Sequence, residues 1–223
     1  MSSINSKRAL YAQFAAVAKA MAHEHRLELL ELIAQGERSV ETLAGQCGLS
    51  IANTSQHLQQ LRRAGLVTAR RDGKFVLYRL ADDSVLAAVA AVHRVAERNV
   101  AEVERIVRSY FQERDALEPV SRAELSERMR KGLVTVLDVR PAEEFSLGHL
   151  PGAVNVPLSK LARWLSRLDK QSEVVAYCRG PYCVLSFEAV ARLRARGFKA
   201  RRLQDGFPEW KAAGLPIETA SMV

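Results

Sequence analysis

Apolar residues recur at helical spacing through roughly the first 110 positions, then yield to short β-branched runs alternating with helical stretches. A length of 223 residues suits one large domain or two small ones, and the change of pattern divides the chain into two halves. In the first part, Leu10, Phe14, Val17 and Met21 form one apolar stripe; Leu27, Leu30 and Ile33 repeat it until Gly36 stops the helix. Ser39 is placed to cap a short helix through Cys47 that Gly48 breaks, and Ser50 another to about Ala64, closed by Gly65. Leu66 to Arg70 and Phe75 to Leu80 read as strands joined at Asp72-Gly73, a hairpin signal. Beyond Asp82, the residues Val85, Val89, Val92, Ala96, Val100, Val103, Val107 and Tyr110 make a near-heptad seam on one long helix. Nothing nearby in sequence covers that seam, so a second copy is expected to, giving a homodimer.

The segment Gln112 to Pro119 is charged and ends in proline, which reads as a linker. After it come a helix near Arg122 to Arg130, a strand Val134 to Leu137, a helix Leu158 to Leu168 and a strand Val174 to Tyr177. A helix Ser186 to Arg196, a strand Phe198 to Leu203 and a last helical turn or two from Pro208 to Ala213 complete the alternation, which implies a parallel sheet covered on both faces. The expected class is an α+β, mostly helical domain over residues 1–112, a linker over 113–119 and an α/β domain over 120–223. Hydrophobic residues at 48% and charged ones at 26% exclude a disordered or fibrous chain, and no apolar run approaches a membrane span. Three cysteines are too few for a secreted disulfide scaffold, which points to the reducing cytoplasm.

The net charge of +8 invites a polyanion, and its placement decides which. Arg62, Arg63, Arg70, Arg71, Lys74 and Arg79 surround the hairpin against one acid, Asp72. A short helix, the turn Gly48-Leu49-Ser50, a second helix and this basic hairpin make a winged helix-turn-helix. On the second helix Ile51, Thr54, Leu58 and Leu61 are assigned to the core, leaving Asn53, Ser55, Gln56, His57 and Gln60 for a groove. Asn and Gln bond an adenine edge bidentately, while Arg70, Arg71 and Lys74 would grip phosphates. The expected partner is double-stranded operator DNA.

Three runs carry a resemblance: Ala22-His23-Glu24-His25-Arg26-Leu27, Ser55-Gln56-His57-Leu58-Gln59-Gln60-Leu61-Arg62 and Gly73-Lys74-Phe75-Val76-Leu77-Tyr78-Arg79-Leu80. They resemble the ArsR family of dimeric winged-helix repressors over the first half of the chain. The resemblance implies a repressor that releases DNA when a metal or a thiol-modifying signal arrives. Many members carry a Cys-x-Cys pair before the recognition helix; here Ser39 and Glu41 hold those positions, so that metal site is absent and no metal or cofactor is expected. Cys47 reads as a small core residue, and His23, His25 and His93 are weak evidence for another metal site.

Cys178 directly follows the strand Val174 to Tyr177 and precedes a helix, so backbone N–H groups and a positive helix end favour its thiolate. Arg179 adds a positive charge beside it. Such a thiolate attacks sulfane sulfur and holds it as a persulfide. Leu137-Asp138-Val139-Arg140, Glu144-Phe145, the run Gly148 to Pro157, Cys178 and Asp205-Gly206-Phe207-Pro208-Glu209-Trp210 together resemble a rhodanese domain spanning the second half. The resemblance implies that Cys178 carries sulfur, with Asp138 and Arg140 supporting the sheet edge and His149, Pro151, Gly152 and Asn155 shaping turns. Phosphatases and arsenate reductases of related fold need an arginine six positions after the cysteine; Val184 stands there, which excludes them. Cys183 lies in the same loop, where a second thiol would resolve a persulfide or sulfenate into a disulfide, or else simply pack on the next helix.

The whole chain thus reads as a DNA-binding regulator whose second domain senses sulfane sulfur (thiosulfate, polysulfide or persulfide) or oxidation at Cys178. The alternative is a working sulfurtransferase tethered to a DNA-binding module, and a third reading leaves the second half an inert partner module.

Overall fold

The computed structural model describes residues 3–107, 109 and 119–219. The chain separates into two compact units, residues 1–90 and 91–223, with the division falling inside one helix.

The first unit strings together α1 (Ser3–Met21), α2 (Glu24–Ala34), β1 (Arg38–Ser39), α3 (Val40–Cys47), α4 (Ile51–Arg63), β2 (Val67–Asp72) and β3 (Phe75–Leu80), then the start of α5 (Asp83–Asn99). Its boundaries follow local chemistry. Ser39 Oγ accepts the Thr42 N–H at 3.2 Å and Ser50 Oγ the Asn53 N–H at 3.2 Å, each satisfying an orphan donor of a first turn. Gly48 ends α3 in the left-handed region at φ 65°. Leu29, Leu30, Ile33, Leu43, Leu58, Leu61 and Tyr78 form the core, with Val85 and Val89 of α5 closing it. The sheet runs β1-β3-β2, antiparallel throughout.

Several expectations change. Asp72 pairs with Phe75, so the turn residues are Gly73 and Lys74, not Asp72 and Gly73. Only glycine takes the φ of 57° at position 73 readily. Strand β1 is too short to have shown a period-2 pattern. The long helix is interrupted at Val100, whose φ of −113° and ψ of 102° are extended, before α6 (Ala101–Ile106) resumes. Tyr110 and linker positions 112–118 lie outside the described residues.

The second unit's fold proper contains α7 (Arg122–Arg130), β4 (Val134–Asp138), α8 (Ala142–Leu147), β5 (Val154–Asn155), α9 (Leu161–Trp164), β6 (Glu173–Tyr177), α10 (Val184–Arg194), β7 (Ala200–Arg202) and α11 (Phe207–Ala212). The sheet order is β5-β4-β6-β7, all parallel. Alternation along β6 divides the core. Val174 and Ala176 point to one face with Ala189, Val190 and Leu193 of α10, whereas Val175 and Tyr177 point to the other with Leu125, Phe207 and Trp210. Cys178 continues the first face. The helix expected over Leu158 to Leu168 is instead a turn, closed by Lys160 N–H on Pro157 O at 2.7 Å, then α9 and a 3-10 turn Leu165–Arg167. Helix α8 and strand β5, one turn and two residues of pairing, were not expected from the sequence. No helix among the described residues is long and apolar enough to cross a membrane.

Candidate functional site

Helix α4 is presented by its Ser50 cap and by the burial of Thr54, Leu58 and Leu61. Asn53 and Gln56 are exposed, and Ser55 and Gln60 are partly so. Two expectations about this helix are corrected. Ile51, assigned to the core, is exposed in the first turn. His57, assigned to the groove face, is only 7% exposed. It lies three residues after Thr54 and four before Leu61, so helical geometry turns it inward with them. Gln60 is partly spent: its Oε1 accepts from Arg26 Nη1 at 2.6 Å.

On the wing, Arg71 and Lys74 are exposed. Arg70 is exposed too but engaged, with Nε and Nη2 on the Glu37 carboxylate at 2.6–3.0 Å and Nη1 on Asp72 at 3.3 Å. Its charge is thus partly answered within the chain, by a residue more than 30 positions away that spacing arguments could not connect to it.

In the second unit, β6 ends at Tyr177 and delivers Cys178 to the loop that leads into α10. Cys183 is the N-cap of α10, and the two sulfurs are joined as a disulfide across a Cα–Cα distance of 6.1 Å. That separation falls within the range a disulfide spans, a question spacing left open. Cys178 therefore sits at the positive end of an 11-residue helix. Both cysteines are buried in the core face of α10, at 1% and 7% exposure, while Arg179, Pro181 and Tyr182 of the same loop are partly exposed.

The loop is held from three sides. Arg179 grips Glu144, a fully buried carboxylate on α8, through Nε at 3.0–3.1 Å and Nη2 at 2.7 Å. The positive charge expected beside Cys178 is therefore neutralised by Glu144, and Arg179 anchors the loop as much as it polarises it. Phe207 N–H donates to Cys178 O at 3.1 Å. A Cβ on Gly206 would stand 2.4 Å from the carbonyl carbon of Arg179 and from Gly180 N, so only glycine permits that approach. Glu144, Gly206 and Phe207 were visible in sequence as motif letters without assigned roles.

Asp138 and Arg140 lie at the C-terminal end of β4 and are fully buried. Arg140 donates from Nε and Nη2 to Asp138 at 2.6–3.1 Å and from Nη2 to Gly148 O at 2.7 Å. Tyr177 OH donates to Asp138 Oδ2 at 2.6 Å and accepts the Leu150 N–H at 3.1 Å. Burial first, and then the Asp138 carboxylate, push the Tyr177 phenol well above its ordinary value. Asn155 Nδ2 ties the carbonyls of Asp138 and Arg140 together at 3.2 and 3.0 Å. This network builds the platform from which the Cys178 loop springs.

The two units are thus a winged helix-turn-helix and a parallel-sheet domain with a cysteine-bearing loop at the carboxyl edge of its strands. A helix-turn-helix domain matches residues 21–70 and a rhodanese-like domain residues 121–213. The HTH-type transcriptional regulator Rv0324 of Mycobacterium tuberculosis is 42% identical over 217 residues, 97% of this chain and 95% of that protein. The chain belongs to the ArsR-type winged helix-turn-helix transcriptional regulators that carry a C-terminal rhodanese-like domain. A sulfurtransferase of Allochromatium vinosum is 32% identical over 85 residues, 38% of this chain and 78% of that protein. Among solved structures, the homodimeric winged helix-turn-helix DNA-binding domain of Mb0332 from Mycobacterium bovis is 42% identical, covering 45% of this chain and 91% of that one at a TM-score of 0.42.

Proposed function

We propose that this regulator is a homodimeric repressor that reads operator DNA with α4 and the wing and releases it when sulfane sulfur is loaded at Cys178. The observation that carries the reading is the Cys178–Cys183 pair at the helix end of a rhodanese-like loop, in a chain whose other unit is a DNA-binding module. The proposed boundaries are 1–112 for DNA binding and dimerisation, 113–119 for the linker and 120–223 for the sulfur domain. Asn53, Ser55, Gln56 and Gln60 would meet base edges, and Arg71 and Lys74 phosphates, with Arg70 contributing from its carboxylate pair. His57 leaves the contact set.

The apolar residues Leu10, Tyr11, Phe14 and Val17 of α1 are exposed, as are Val92 and Val95 of α5. A second copy would bury them.

The chemistry balances in two steps. The Cys178 thiolate takes the outer sulfur of thiosulfate, releasing sulfite, or that of a persulfide, releasing its thiolate. Cys183 thiolate then attacks the inner sulfur of the Cys178 persulfide, forming the disulfide and expelling hydrosulfide. The two thiols lose two electrons and the sulfane sulfur gains them. The disulfide holds no thiolate, so the reduced form is the acceptor.

Gel shifts with a duplex selected by the protein, with and without thiosulfate or polysulfide, test this. Release in the wild type that Cys178→Ser abolishes is expected; unchanged release in Cys178→Ser overturns it. Rapid multiple-turnover sulfur transfer to cyanide would instead favour the tethered sulfurtransferase.

A further inference from the structure

Three imidazole rings meet behind the exposed face of α4. The centroid of His57 lies 4.6 Å from that of His23 and 5.8 Å from that of His25, and His23 and His25 are 5.4 Å apart. Each ring is held differently. His23 is the N-cap of α2, its Nδ1 accepting the His25 N–H at 3.2 Å, so that nitrogen must keep its lone pair. His57 has Nδ1 enclosed without a hydrogen-bond partner. His25 Nδ1 stands 3.7 Å from the Glu28 carboxylate. Arg26, next on α2 and buried, is committed to Gln60 and to the carbonyls of Lys19, Ala20 and Ala22. Glu24, largely exposed, reaches His23 at 3.5 Å. The cluster therefore joins the start of α2 to the buried face of the helix read as the DNA-contacting one. Among the described residues no group of three or more His, Cys, Asp or Glu is placed to hold a metal ion.

We propose that His23, His25 and His57 form a proton-operated latch: neutral, they pack α4 against α2; charged, they loosen α4 and weaken DNA binding at mildly acidic pH. A proton on His23 Nδ1 turns the α2 cap from acceptor into donor and removes it. A proton on His57 places a charge in a buried site already facing His23, His25 and Arg26, with Glu24 opposing. Burial foremost, then His23, Arg26 and His25, hold His57 below the ordinary histidine range.

The sign follows by linkage. A histidine whose folded-state pKa is depressed binds fewer protons folded than unfolded. Its stabilising contribution is whole above the ordinary histidine value of about 6.5 and is lost as pH falls from there through the lowered folded-state value. Nonspecific electrostatics act the other way, because added positive charge strengthens phosphate binding. A fall in affinity on acidification therefore separates the latch from general charge.

This inference rests on α4 being the DNA-reading helix and is independent of Cys178. The test uses the full chain and a fluorescent duplex enriched by the protein from a random pool at pH 7.5, at constant ionic strength. Wild-type affinity is expected to drop at least about fivefold between pH 7.5 and 5.5, the low end of ordinary site-to-site coupling. His57→Gln and, independently, His23→Ser, which keeps a capping side chain, should remove that fall. Thermal unfolding midpoints of the same three proteins, measured across the same pH range, report the latch without DNA. Affinity that holds or rises on acidification, or an equal fall in both variants, overturns the proposal. If no duplex is enriched, the DNA reading of α4 fails instead. The latch then stands only if the unfolding midpoint drops with acid in the wild type and not in His57→Gln, and otherwise falls.

Discussion

Arg140 and Asp138 are enclosed completely, and a buried charge pair is tolerable only when its remaining donors and acceptors are met. Here Gly148 O accepts from Arg140, and Tyr177 OH and the backbone N–H of Arg140 donate to Asp138. Removing one partner strands the other charge. Arg140→Met is expected to lower unfolding free energy by about 3–5 kcal/mol. Tyr177→Phe, which deletes one hydrogen bond to each of Asp138 and Leu150, should cost about 1–3 kcal/mol. Urea unfolding measures both, and losses below half a kcal/mol would show that the network is not the platform described. Cys183 invites a separate experiment at this scale. If it resolves the persulfide, Cys183→Ser treated with thiosulfate accumulates a protein carrying one extra sulfur, whereas the wild type passes on to the disulfide. Intact mass distinguishes the two, and a lasting persulfide in the wild type would contradict the resolving role.

At the scale of elements, α1 is a helix whose apolar stripe faces away from its own core, apart from Met21 at its end. Charging that stripe should cost the folded protomer little and the dimer much. The double variant Leu10→Glu, Phe14→Glu is expected to sediment as a monomer with its helical signal kept; a dimer that persists would place the interface elsewhere. Helix ends were legible beforehand because Ser39, Ser50, Gly48 and Gly65 act through their own backbone neighbours. The cysteine loop was legible for a similar reason, lying between a β-branched run and a periodic one. What escaped depends on distance. The pairings Arg70–Glu37 and Arg179–Glu144 cross more than 30 residues, and no local pattern encodes them. His57 was misplaced because a polar side chain at an inward position looks like a groove residue until the stripe Thr54, Leu58, Leu61 is extended around it. The break at Val100 interrupts a seam whose periodicity gives no warning, since valine itself continues the pattern.

For the whole molecule, the proposal reduces to one coupling free energy between the cysteine pair and the DNA-reading helix, and couplings of binding equilibria are reciprocal. A disulfide that weakens operator binding must in turn be harder to form on the operator-bound protein, because DNA then stabilises the dithiol state. The bound protein's Cys178/Cys183 couple should therefore have the more positive midpoint potential. For a two-electron couple each tenfold difference in DNA affinity corresponds to about 30 mV. The ordinary range of couplings, roughly 5- to 150-fold, thus predicts an upward shift of about 20–65 mV. Redox titration against glutathione buffers, with and without saturating selected duplex, reads the shift by thiol alkylation, and gel shifts of the fully reduced and fully oxidised protein read the affinities. The two numbers must agree, so they test the coupling without reference to the sulfur donor. A potential that DNA leaves unmoved, beside affinities that oxidation leaves unmoved, would make the cysteine pair a sulfur site that never speaks to the operator.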